Sequence, residues 1–279
     1  MGARHEGGPG AATLQEDLEP PGPVTEEDDG GGWARIGHLG TLPTRSPRKL
    51  TAMFAVVEPD PSCPPALVGA VLDDLGLGWH LVRTHAGDAL PPDPDAAVVL
   101  GGRQGAYEVD AHPHLGDTKR WMADLVGRGV PVLGICLGAQ LLADALGGSA
   151  HLAPEPEVGL LPLEVVGDDP LSPLLIGPWV LAHQDTFDLP PGATLLARSA
   201  YPAAFRYGSA LGVQFHPEAD AALAASWLRR DGGVARRAGV DVAGLVAALE
   251  GADAGLVRRG RAVIAAWGVS AVAERAGRV

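Results

Sequence analysis

Residues 131–146 constrain the fold more than any other stretch. Pro131-Val132-Leu133-Gly134-Ile135 is a continuous apolar run of strand length. Leu137 to Leu146 follows with helical spacing, and only Cys136 stands between the two. Passing from a buried strand into a helix across one residue needs a very tight turn. Gly134 and Gly138, two before and two after Cys136, fit that need, because a side chain at either position would collide with the neighbouring strand or helix. The pattern G-x-C-x-G in this context is a nucleophile elbow. It lifts the thiol to the carboxyl ends of the strands, where open α/β sheets place their ligands. It also sets the sulfur at a helix N-terminus, where the dipole favours a thiolate.

The rest of the chain agrees with a parallel sheet at this point. Met53 to Val57, Trp79 to Arg83 and Ala96 to Leu100 are further short apolar runs. Between them, Pro65 to Leu75 carries apolar residues at helical spacing and stops at Gly76; residues 117–127 read as another helix. Near-continuous apolar strands alternating with helices predict an α/β fold: an open, mostly parallel sheet with helices on both faces. Beyond Gly148 the texture changes. Residues 151–153, 160–166, 179–182, 194–197, 203–207 and 211–215 read as short strands without long intervening helices, so additional antiparallel strands are expected. A helix over 220–230 precedes an Ala- and Arg-rich tail.

Composition sets the boundaries. Of 279 residues, 46% are hydrophobic, enough for a sizeable core, and the formal charge is −13. Residues 1–48 are rich in Gly, Pro and acidic side chains and are read as a disordered leader, since they have little apolar surface to offset ordering entropy. The main domain is expected over 49–231 and a helical tail over 232–279. The acidic balance argues against a nucleic-acid partner. Apolar runs long enough to span a bilayer are absent, so no membrane association is expected. The N-terminus lacks the basic start and apolar stretch of a secretory signal, so a cytoplasmic location is expected. Cys63 and Cys136 are the only cysteines, too few for a disulfide scaffold.

A nucleophilic thiol wants a base. His216 follows the last apolar strand, in Gln214-Phe215-His216-Pro217-Glu218. Glu218, past a rigid proline, can accept from the second imidazole nitrogen and fix its tautomer, as the third member of a triad does.

Gly-Ile-Cys-Leu-Gly-Ala-Gln at 134–140, with Gln-Phe-His-Pro-Glu at 214–218, resembles the class I (triad-type) glutamine amidotransferases, and in particular stand-alone relatives of the amidotransferase domain of GMP synthase. The resemblance covers about residues 51–230. It implies a flavodoxin-like fold and hydrolysis of the side-chain amide of glutamine through a γ-glutamyl thioester on Cys136, with His216 moving protons and Glu218 orienting it. It implies an oxyanion hole from the backbone N–H groups of Gly102 and Leu137, and substrate contacts from Gln140 and Asp185. A surface turn ahead of Phe187 is the other reading of Asp185. The leftover residues hold no synthetase domain, so a separate ammonia-accepting synthetase is the implied partner. With no phosphate-binding glycine loop, no cofactor is expected.

The chain departs from the family at Gly102-Arg103-Gln104-Gly105, where Arg103 bears on access or on an anionic substrate, and at Gln184 in His183-Gln184-Asp185. Two other readings stay open: a hydrolase of another γ-glutamyl amine or peptide, and a non-catalytic binding protein on the same fold. His112-Pro113-His114 reads as a solvated loop, with no metal site expected. Arg258-Arg259-Gly260-Arg261 reads as a solvated helix face. Cys63 sits between prolines without a base or an elbow.

Overall fold

The structure, a computed structural model, describes residues 52–230 and 232–278. The leader expected over 1–48 lies outside the described residues. The first half runs β1 (Met53–Val57), α1 (Ala66–Asp74), β2 (Gly78–Val82), β3 (Ala96–Val99), α2 (Pro113–Gly127), β4 (Val132–Ile135) and α3 (Leu137–Ala145). The second runs β5 (Ser149–Pro162), β6 (Glu164–Val165), β7 (Pro178–Asp188), β8 (Thr194–Arg198), β9 (Pro202–Tyr207), β10 (Ala210–Val213), α4 (Ala221–Arg230), α5 (Gly232–Arg237) and α6 (Val242–Arg278).

The main sheet has eight strands in the order β2-β1-β3-β4-β10-β9-β8-β6. Strands β2 to β10 in that order pair in parallel. From β10 outward the pairing is antiparallel. Side chains alternate between the two faces with the period of a strand. Phe54, Val56, Val98 and Leu133 pack with α1 and with Val263, Ile264 and Trp267 of α6. Ala55, Val57, Val99 and Val132 pack with α2 and α3. Burial on both faces explains why the parallel strands read as unbroken apolar runs. The Trp267 ring meets Phe54 edge-on, with centroids 5.8 Å apart and planes at 81°.

Four details differ from the sequence reading. Residues 151–153 and 160–162 join in one strand, and only 164–165 of the expected 160–166 strand stand apart, as β6. One long β5 pairs with β7 as a two-stranded antiparallel ribbon, and its register shifts between Leu152 and Glu157. Pro154 and Pro156 lie in that interval; proline lacks the donor a regular ladder needs, so it sits at such irregularities. His112-Pro113-His114 is the start of α2 rather than a loop, with Pro113 in the first turn where its missing N–H costs nothing. Among the described residues no His, Cys, Asp and Glu group suits a metal ion.

The third difference is Arg259 in the tail helix. Along α6, Arg258 is exposed and Arg261 pairs with Asp74 at the surface, whereas Arg259 turns inward: its Nη2 donates to the Pro178 carbonyl (2.7 Å) and its guanidinium lies over the Trp179 ring. The fourth is Asp185, which lies within β7 and is buried rather than in a surface turn. Among the described residues no helix is long and apolar enough to cross a membrane.

Candidate active site

Cys136 lies between β4 and α3 with φ 51° and ψ −109°, a left-handed backbone unusual outside glycine. The glycines that permit it have no room for a side chain. A Cβ on Gly134 would lie 2.5 Å from the Gly138 carbonyl oxygen, and one on Gly138 would lie 2.0 Å from the Val99 carbonyl oxygen of β3. The Cys136 N–H donates to Val213 O of β10 at 2.8 Å. The elbow is thus wedged between β3 and β10, and the strain at Cys136 is held by the sheet itself.

The candidate base, His216, follows the end of β10. His216 N–H donates to Val180 O of β7 (3.0 Å), and the imidazole Nδ1 lies 2.7 Å from Glu218 Oε1. Both side chains are buried. With Nδ1 engaged by Glu218, Nε2 is the nitrogen left to serve Cys136, which lines the same cleft. Burial opposes charge on His216, but the Glu218 carboxylate and Cys136 outweigh it and raise the imidazole pKa from 6.5 to about 10. The structure places Cys136 and His216 in one cleft, with Glu218 directly behind the imidazole.

The loop after β3 presses on the same place. A Cβ on Gly101 would lie 3.4 Å from His216 Cε1 and 3.1 Å from Cys63 Sγ. One on Gly102 would lie 2.6 Å from the Leu137 side chain. Gly102, which lines the cleft, and Leu137 are thus neighbours. Leu137 is the first residue of α3, so its N–H has no intrahelical acceptor.

Gln140 and Asp185 are joined as well. Gln140 Nε2 donates to the Asp185 carbonyl and to Gln214 Oε1, both at 3.1 Å. Its donors are spent inside the protein, so Oε1 is what it has to offer a ligand. His183 Nδ1 lies 2.9 Å from the same Asp185 carbonyl, and its Nε2 lies 3.2 Å from Glu157 across the ribbon. Tyr107 Oη donates to Asp185 Oδ1 at 3.3 Å. Burial, with Glu108 nearby, raises the Asp185 carboxyl above its ordinary range despite the Tyr107 hydrogen bond. A cationic ligand group beside it would restore its charge.

Several residues here carried no assignment from sequence. Gln214, fully buried, sits with Nε2 3.5 Å from Cys136 Sγ and links the thiol to Gln140. Its position two residues before His216 at a strand end was the available signal. Trp227 of α4 lies against His216, ring centroids 4.5 Å apart, and is anchored by Nε1 to the Ser62 carbonyl at 2.8 Å. Cys63 lines the same cleft as Cys136, and burial together with the Cys136 and Glu218 charges pushes its thiol well up. Arg103, which the sequence ties to access or to an anionic substrate, lines the cleft with its Nε 3.5 Å from Asp60. The cleft encloses about 340 Å³ and is lined by Cys136, His216, Gln140 and Asp185 together with Val234 and Ala235 of α5.

Residues 71–231 match the family of class-I glutamine amidotransferases. The chain belongs to that family. It is 41% identical over 131 residues to the glutamine-hydrolysing GMP synthase of Thermomicrobium roseum, covering 45% of this chain and 23% of the synthase. It is 36% identical over 131 residues to one of the subunits of the glutamine-hydrolysing GMP synthase of Sulfolobus acidocaldarius, covering 44% of this chain and 66% of that relative. The chain thus spans about a quarter of the length of the T. roseum synthase. A glutamine amidotransferase from Thermotoga maritima superposes with a TM-score of 0.70 at 25% identity, over 79% of this chain and 98% of that structure. The family match ends at 231, just before α5.

Proposed function

We propose that the protein hydrolyses the side-chain amide of glutamine. Cys136 attacks the amide carbon as a thiolate; its proton resides on His216. The tetrahedral oxyanion is held by the backbone N–H groups of Leu137 and Gly102, donors of a kind that contribute about 3–4 kcal/mol each when aimed at developing charge. The C–N bond breaks as His216 Nε2 gives its proton to the leaving ammonia, leaving a γ-glutamyl thioester. His216 then takes a proton from water, which attacks the thioester and releases glutamate and the Cys136 thiol. Glu218 keeps the ring in the tautomer and orientation that both halves require. Asp185 and the Gln140 Oε1 are acceptors suited to the substrate ammonium.

The observation that carries this reading is the buried His216, held at 2.7 Å by Glu218 and sharing one cleft with the strained Cys136. The S. acidocaldarius relative, named as one subunit of a glutamine-hydrolysing GMP synthase, supports a further step, in which the ammonia passes to a separate synthetase chain. The test is glutamate release from glutamine by the full chain, alone and with cell extract. Turnover that disappears in Cys136→Ala is expected; a Cys136→Ala variant as active as wild type, or no turnover under either condition, contradicts the reading.

A further inference from the structure

The leaving group of such a hydrolysis departs on the side of His216, because that ring must protonate it. The wall on that side is unlike the acceptor-rich end formed by Asp185 and Gln140. Trp227 covers the imidazole, and beside it Leu228, Val158, Val234 and Ala235 complete an apolar surface. Two of those side chains belong to α5, beyond the segment that matches the family. Helix α5 is fixed over the cleft by Arg237, whose Nη2 donates to Gln184 Oε1 at 2.6 Å, next to the residues that hold Asp185. Ammonia offers nothing for this surface to bind. The cleft volume of about 340 Å³ lies within the roughly 300–1,000 Å³ typical of small-molecule pockets.

We infer that the same centre also hydrolyses γ-glutamyl amides whose nitrogen carries a small apolar substituent, received by the wall of Trp227, Leu228, Val158 and α5. The inference rests on the hydrolase reading above. The chemistry balances in the same way. The thiolate adds to the carbonyl carbon, the C–N bond breaks, and His216 protonates the departing primary amine. Water then converts the thioester to glutamate.

The experiment compares glutamine with γ-glutamyl-N-propylamide on the full chain, reading glutamate release. A kcat/KM for the propylamide equal to or above that for glutamine is expected, because each methylene in an apolar pocket is worth roughly tenfold or more. A value below that for glutamine overturns the inference and leaves glutamine hydrolysis standing. Failure of both substrates removes the hydrolase reading and this inference with it. In Val234→Trp, which fills the wall, and in Val234→Asp, which charges it, the ratio of propylamide to glutamine kcat/KM should fall at least tenfold. An unchanged ratio in either variant, with Cys136 still labelled by a glutamine-like electrophile, contradicts the assignment of α5 as the receiving wall.

Discussion

The two halves of the candidate centre are held in different ways. On the nucleophile side the geometry is a matter of backbone. Cys136 is strained, Gly134 and Gly138 are pressed against main-chain atoms, and Val213 O takes the Cys136 N–H. Nothing there can yield by turning a side chain. On the base side, position comes from side chains and from distant helices. Glu218 holds the imidazole, Trp227 covers it, and Gly260 of α6 lets that helix lie directly on the Pro217 carbonyl. A Cβ at Gly260 would stand 2.1 Å from that oxygen. The contrast teaches that damage to the elbow is damage to the fold, whereas the base can be displaced or detuned in a folded protein.

The largest effect is expected at the elbow. Gly138→Ala sets a methyl against the Val99 carbonyl, so stability should fall by at least the upper end of the roughly 1–3 kcal/mol typical of overpacking. Denaturant unfolding reads this directly, and a variant as stable as wild type would break the contrast.

Next is Glu218→Gln. Loss of the partner carboxylate should lower kcat by about 10²–10⁴ with little change in fold, by analogy with triads whose orienting acid is neutralised. The pH dependence sharpens the point. The folded pKa of His216 is raised from 6.5 to about 10, so its contribution to stability is complete below pH 6.5 and is lost as pH rises towards 10. Wild-type stability should therefore decline across that window, and the decline should be shallower in Glu218→Gln. Equal slopes in the two proteins would remove Glu218 from this role.

A smaller effect is expected at Gly260→Ala. The Pro217 turn must shift, moving His216 relative to Cys136, and kcat should fall by about tenfold, since a misplacement on the order of 1 Å from a remote mutation can cost about a hundredfold. KM should change less than kcat; a change confined to KM would mean that α6 does not act through the base. Smallest is Arg237→Ala, which removes one exposed hydrogen bond to Gln184 and should change stability by under about 0.5 kcal/mol. Its effect should appear in KM.

Much of the nucleophile side was legible in the sequence because its determinants are consecutive. The apolar run, the two glycines and the helix are read in one pass from Pro131 to Leu146. The parallel strands were legible for a related reason, since burial on both faces writes itself as an unbroken apolar run. His216 and Glu218 needed a second motif about 80 residues away. What could not be read were contacts made only by packing. Cys63 reaches the cleft from a loop after β1, Trp227 from α4, and Gly260 from a helix whose sequence looks like a basic exposed face. None of these has a local pattern, because each depends on where another element lies. Asp185 was half-legible: its residue type is right for an ammonium, but strand or turn depended on how β5 crosses Pro154 and Pro156.

The most direct test of the central claim uses the two cysteines, which line the same cleft. The full chain is treated with a glutamine-like electrophile, and the adduct is located by mass spectrometry of the digested protein. One adduct on Cys136 and none on Cys63 is predicted, since only the elbow thiol has the His216 imidazole as its partner. Modification at Cys63, or none at Cys136 at any pH, would contradict the account.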